Sequence, residues 1–225
     1  MQRSKMSIAV IVVAGAAVVA GAVAATAAEA SPVVTHTATA RVPGVVGDAQ
    51  ATADGKIDRS GFRPRMSRAT HPVRGEVLYV VSQVPTGDKE AIKGTTVIVT
   101  SMTFNQKAAA YAKTLEGIRY VYGGTTKHGF DCSGLTQYVY RHEGKRIVRT
   151  SDEQFHQFHA ESHSQAQPGD LVFFHDTSNL RSHVYHVGVF EGGHDMVAAT
   201  HTGSDVQWQS YLWGGNTVSF GTVSH

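Results

Sequence analysis

The chain has 225 residues, 41% apolar and 17% charged, with enough Val, Phe, Tyr and Leu for a packed core, so wholesale disorder is excluded. Its 23 glycines against 6 prolines rule out a collagen-like or proline-rich fibre. Twenty basic and 18 acidic side chains leave a formal charge of +2, which gives no reason to expect a nucleic-acid partner, and the single cysteine excludes an internal disulfide and any zinc site built on two or more thiolates.

Residues 1–30 read as an address. Arg3 and Lys5 give a positive start, residues 7–25 are an uncharged apolar run, and Ala28-Glu29-Ala30 fits a cleavage site before Ser31, with Ala25-Thr26-Ala27 as a second. A secretory signal peptide is expected. The alternative is an uncleaved anchor, because such a run can span a bilayer core of about 30 Å. Its Ala and Gly insert less readily than Leu, which favours cleavage. On either reading the rest of the chain works outside the cytoplasm, secreted or at the cell wall. A lone cysteine there has no partner in its own chain and is a candidate working thiol.

Residues 31–101 read as a linker with a possible small β-unit, and residues 31–56 lack a sustained period. Arg59, Arg63, Arg65, Arg68 and Arg74 form a basic cluster, either a solvated linker or an attachment to an anionic cell-wall polymer. Residues 77–84 (VLYVVSQV) and 91–100 (AIKGTTVIVT) are β-branched runs expected to pair as a hairpin or as strands of that unit.

Residues 102–225 change character. Residues 104–117 place Ala108, Tyr111, Ala112 and Leu115 on one helical face, with Gly117 as a stop. A second helix follows Cys132 and ends near Gly144. Residues 171–174 (LVFF), 186–190 (HVGVF) and 196–199 (MVAA) are short strand-like runs. Helices followed by strands indicate an α+β domain with an antiparallel sheet.

Cys132 lies where a Gly-rich loop meets a helix start, with Asp131 as a good N-cap. A helix N-terminus favours a thiolate over a thiol, so this is where a nucleophilic cysteine is expected. Its flanking Asp and Ser argue against a merely buried structural cysteine. A cysteine nucleophile needs an imidazole to take and return a proton. Of 13 histidines, His186 stands out by opening an apolar strand after a polar loop. His156, His159 and His163, near Glu153 and Glu161, could be weighed as metal ligands, but a polar helix end or loop is the expectation. Trp208, Tyr211 and Trp213 are expected as core or cleft-wall aromatics.

Five ordered blocks carry a family resemblance: Tyr120-Val121-Tyr122-Gly123-Gly124; Phe130-Asp131-Cys132-Ser133-Gly134-Leu135; Arg149-Thr150-Ser151 with Gln154; Pro168-Gly169-Asp170-Leu171-Val172-Phe173-Phe174; and His186-Val187-Gly188-Val189-Phe190. Together they resemble the NlpC/P60 cysteine peptidases over about residues 105–223. The resemblance implies a papain-like core, with the cysteine on a helix packed against an antiparallel sheet that carries the histidine. It implies a peptidoglycan endopeptidase acting on stem peptides between D-glutamate and the following diamino acid, with Cys132 as nucleophile and His186 as base. It also implies substrate contacts from Tyr120, Asp131 and Ser133. No metal or organic cofactor is expected, and a monomer is.

One position departs from the family's pattern. The third polar residue falls at or near Ala198, which cannot orient an imidazole. His201, a turn later, is the candidate replacement. A backbone carbonyl or a water is another, and a weak or inactive enzyme is a third reading. An acyltransferase or amidase on the same core, and a non-catalytic wall-binding scaffold, are the rival functions.

Overall fold

The computed structural model describes residues 37–67, 76–176, 183–215 and 217–223; the expected signal segment, Arg68 and Arg74 lie outside the described residues. The N-terminal elements are β1 (Thr39–Arg41), α1 (Gln50–Arg59), β2 (Arg63–Met66), β3 (Tyr79–Val84), β4 (Glu90–Ile92) and β5 (Thr96–Met102). β5 is central. It pairs in parallel with β2 and antiparallel with β3, while β1 pairs with β4 in a separate ribbon. Strand alternation gives this sheet two unlike faces. Val80, Val97 and Val99 point inward and pack with Val42, Val45, Ala53, Ile57 and Phe62. Gln83 is buried and stitches the unit together: its Oε1 accepts from Val45 N at 2.7 Å and its Nε2 donates to Pro43 O at 2.9 Å.

The linker expectation for residues 31–101 is therefore corrected over the described stretch, which is a packed α/β unit with its own core. The reason it escaped the sequence is physical. The core is made of scattered Val, Ala and Ile residues and one Phe, Phe62, from loops and short elements, some only three residues long. Helix α1 contains Gly55, Asp54 and Asp58, so its propensity is poor and packing decides. The expected pairing of the two β-branched runs is realised in β3 and β5.

The C-terminal elements are α2 (Phe104–Lys113), β6 (Thr125–Thr126), β7 (Gly129–Phe130), α3 (Cys132–His142), α4 (Ser151–Gln157), β8 (His159–Glu161), β9 (Leu171–His175), β10 (Val184–Gly192), β11 (Asp195–Ala198), β12 (Gln207–Ser210) and β13 (Thr217–Thr222). Among the described residues the larger sheet runs β12-β11-β10-β9-β13-β8, every neighbour antiparallel. A capping box opens α2: Gln106 N donates to Thr103 Oγ1 and Thr103 N to Gln106 Oε1, both at 3.2 Å. Ala108, Ala112 and Leu115 of α2 and its following turn pack with Leu135, Val139 and Tyr140 of α3 on one sheet face, against Phe173, Val187, Val189 and Val197. The other face buries Val172, Phe174, Phe190, Met196 and Ala198 under Tyr211 and Phe220. Both faces of β9 are covered, so LVFF reads as a continuous apolar run. This is the α+β architecture expected, with the cysteine-bearing helix packed on the strand that carries the histidine.

The turn before β9 locks these layers. Gly169 has φ +93°, and a Cβ there would stand 1.8 Å from Asn105 O in α2. Its N–H donates to Phe190 O at 2.8 Å, and the Tyr140 hydroxyl donates to its carbonyl. Asn105 Nδ2 adds a bond to buried Asp170 Oδ1 at 2.7 Å. Gly144 has a similar φ, +89°, but open space around it. Gly169→Ala is therefore expected to cost at least about 2 kcal/mol in urea unfolding, and Gly144→Ala about 1 kcal/mol. Equal costs would contradict the locking role.

Candidate active site

Cys132 is the first residue of α3, and Asp131 is its N-cap. The Asp131 carboxylate does more than cap. Oδ1 accepts from Gly134 N at 2.7 Å, and Oδ2 accepts from Gly123 N at 3.0 Å. A Cβ at Gly134 would lie 2.0 Å from Gly124 O, so only glycine lets the helix start press on the lead-in loop. That loop is fixed in turn, with Tyr120 N donating to Ser204 O and Val121 N to Phe130 O, each at 2.9 Å. Tyr120 packs half-buried against the helix-side core; burial first, then the charges of Cys132 and Asp131, push its hydroxyl pKa up.

Arg149 clamps the same carboxylate. Its Nη1 donates to Asp131 Oδ1 at 3.0 Å and to Ser133 Oγ at 2.8 Å, and its Nη2 to Asp131 Oδ2 at 2.5 Å. Asp131 and Ser133 are 8% and 5% exposed, with their polar atoms spent on protein partners. The Arg149 side chain keeps 35% exposure. The charged group left open beside the cysteine is thus the guanidinium. From sequence, Arg149 stood in a motif block without a role. The signal that could have found it is the Thr150-x-x-Glu153 capping box directly after it, which fixes a helix start and hence the arginine's place.

The same segment reaches the histidine strand. Ser151 Oγ donates to Val184 O at 2.8 Å, and Val184 N donates to Asp152 Oδ1 at 3.1 Å. Buried Gln154 takes the Thr136 hydroxyl at 2.8 Å and donates to Ser133 O at 3.1 Å and Val148 O at 2.9 Å. Residues 149–154 therefore brace the start of α3 against the start of β10.

Cys132 is partly exposed and packs against the helix-side core that includes Val187, the residue after His186. The expected thiolate-stabilising environment is corrected. Burial, then the Asp131 charge, raises the thiol pKa, and the bonds from Val187 and Ser133 offset this only in part. The shift favours the thiol over the thiolate.

His186 is 4% exposed on β10, its ring 5.1 Å from that of Phe174 and 6.3 Å from that of Trp213. Burial holds its pKa down to about 4, so the imidazole is neutral near pH 7. Nε2 is buried without a hydrogen-bond partner among the described residues, so the sulfur is not bonded to that nitrogen here. Val187 faces the helices, and the ring lies on the Phe174 side of the strand. Ala198 shares that side: a Cβ at Gly188 would come 3.3 Å from Ala198 Cβ. The position expected to orient the imidazole thus stands opposite Gly188, two residues along the strand from His186, and carries no polar atom. His201 sits exposed in the next turn, its Nδ1 2.9 Å from Thr202 O.

The other singled-out side chains disperse. His156 lies 3.8 Å from Asp152 on α4, while His163 stacks on His194 and its Nε2 is 2.9 Å from Gly193 O. Tyr211 is core, and Trp213 stacks on Phe174 at 5.3 Å as a wall beside His186, whereas Trp208 is exposed on β12.

The NlpC/P60 family model matches residues 117–221. These residues are an NlpC/P60 family domain. A probable endopeptidase p60 of Listeria grayi is 39% identical over 115 residues, 51% of this chain and 22% of that protein. The bifunctional muramidase/DL-endopeptidase CwlT of Bacillus subtilis is 34% identical over 153 residues, 65% of this chain and 44% of that protein. The chain thus spans less than half of each. The crystal structure of the NlpC/p60 domain of peptidoglycan hydrolase SagA is 32% identical, covering 52% of this chain and 98% of that one with a TM-score of 0.47.

The buried imidazole sets a pH dependence. An ordinary histidine takes its proton near pH 6.5, but folded His186 does so near 4. The unfolded chain binds the proton first, so this contribution to stability is complete above pH 6.5 and is lost as the pH falls toward 4. Glu191, beside Lys113, acts in the opposite sense: burial raises its pKa from 4.5 to about 7, so its contribution is lost as the pH rises through that window. His186→Asn should shrink the fall in Tm between pH 7 and pH 5, and Glu191→Gln should enlarge it. Parallel profiles in all three proteins would contradict both assignments.

Proposed function

We propose that the protein is a cell-wall hydrolase of the cysteine peptidase type, cutting peptidoglycan stem peptides between D-glutamate and the following diamino acid. One observation carries the reading. Cys132, the first residue of helix α3, packs into the helix-side core that includes Val187, the residue following His186 on β10. The helix that starts at Cys132 thus packs on the strand that carries His186, although the two residues are 54 positions apart by number, 186 less 132. The endopeptidase names of the relatives support the same activity class.

In this reading Cys132 Sγ attacks the scissile carbonyl carbon while its proton passes to the neutral imidazole. Catalytic hydrogen bonds are often long without substrate and tighten when it binds. The developing oxyanion takes the Cys132 N–H, free at the helix start, and the Tyr120 hydroxyl. Imidazolium then protonates the departing amine, and water hydrolyses the thioester, regenerating the thiol. Asp131 and Ser133 serve the substrate site by holding the Arg149 guanidinium at its edge. No step needs a metal or organic cofactor. The protein acts outside the cytoplasm as a monomer.

The buried Nε2 of His186, unpartnered among the described residues, favours one second reading, a weakened enzyme that serves mainly as a wall-binding scaffold. Cys132→Ala separates the two. Digestion of purified peptidoglycan is expected to fall to background with the Tm preserved, and digestion surviving the substitution would remove the mechanism. His201→Ala tests the third member. Given its exposed position and its contact with Thr202, turnover within about twofold of the parent is expected; a loss of tenfold or more would assign His201 the orienting role.

A further inference from the structure

Among the described residues, one face of the N-terminal sheet is left uncovered. Helix α1 covers one side of β2-β5-β3 through Ala53 and Ile57. On the other side the register sets Arg63 beside Thr96, Arg65 beside Ile98, Ile98 beside Val84, and Thr100 beside Ser82. Val84 is 64% and Ile98 37% exposed. The outward positions of the three strands include no Asp or Glu. Among the described residues neither Arg63 nor Arg65 has a carboxylate partner. The basic cluster of the sequence is thereby divided: Arg63 and Arg65 point out from this face, whereas Arg59 ends the helix on the opposite side.

We propose that this face is a non-catalytic docking surface for intact peptidoglycan, gripping the carboxylates of its stem peptides through Arg63 and Arg65. Outward side chains two apart on a strand stand about 6.7 Å from each other, and adjacent strands about 4.8 Å apart. Two guanidinium forks in a row, with an aliphatic pair and hydroxyls alongside, therefore fit a ligand that alternates carboxylates with methyl groups. Guanidinium binds carboxylate through paired hydrogen bonds. Ile98 and Val84 offer apolar contact to alanine methyls, which a phosphodiester polymer carrying charge alone would not use. The docking needs no chemistry at Cys132. Its consequence for the enzyme is a raised local concentration of cleavable bonds.

The test uses the full chain carrying Cys132→Ala, co-sedimented with purified sacculi stripped of phosphodiester polymers, at about 0.05 M and 0.5 M salt. The parent should pellet with the sacculi and release in high salt. Arg63→Glu with Arg65→Glu should lower the bound fraction at least fivefold, Arg63→Gln with Arg65→Gln somewhat less, and Arg59→Glu not at all, with Tm values unchanged. In the chain that retains Cys132, the double glutamate variant should cleave a small soluble stem peptide at the parent rate. Undiminished pelleting of both double variants would overturn the proposal. So would equal loss in Arg59→Glu, or binding confined to unstripped walls. None of these outcomes bears on whether Cys132 is the nucleophile.

Discussion

One carboxylate organises the candidate site. Asp131 accepts from Gly134 at the start of α3, from Gly123 in the lead-in loop and from both terminal nitrogens of Arg149. A buried carboxylate is costly unless its acceptor sites are filled, and here each oxygen has at least two donors. The helix start, the loop and residues 149–154 therefore form one hydrogen-bonded block. Because Ser151 and Asp152 of that block also hold Val184, the histidine strand is registered against the cysteine helix through the same segment. Position, more than electrostatic activation, is what this arrangement supplies to the thiol.

That distinction shapes the chemistry. A helix N-terminus is worth about half a positive charge, but Cys132 also faces desolvation and the adjacent Asp131. The balance leaves a thiol at rest. His186 is likewise held neutral by burial. Two neutral partners in a poorly solvated site can exchange a proton as the bond to substrate forms, without a permanent ion pair to desolvate. The buried Nε2 has no hydrogen-bond partner among the described residues to hold the ring in one orientation. The packing of Phe174 and Trp213 is the restraint that remains.

The sequence made the nucleophile helix and the strands around it legible because their signals are local. Asp131 before Cys132 is a cap, Ala108, Ala112 and Leu115 keep helical spacing, and LVFF is a run that only a doubly covered strand tolerates. Three things were not legible. The N-terminal unit builds its core from scattered small residues, below what periodicity detects. Strand β12, QWQS, is polar and mostly exposed and has no alternation to read. The Arg149 clamp joins residues 18 apart; the capping box after it fixes the arginine's place but not its partner, which tertiary contact sets. The same limit produced the expectation of a low-pKa thiol: burial is a property of the fold and is invisible in the residues flanking Cys132.

The central claim is that Cys132 hands its proton to His186. Alkylation of the single thiol by iodoacetamide across pH 5–9, in the parent and in His186→Asn, measures this most directly. If the imidazole takes the proton as the sulfur attacks, labelling near pH 7 should slow by about tenfold or more in the variant, the loss expected when a positioned general base is removed. Identical rates and identical pH profiles in the two proteins would mean that the sulfur ionises without help from that ring.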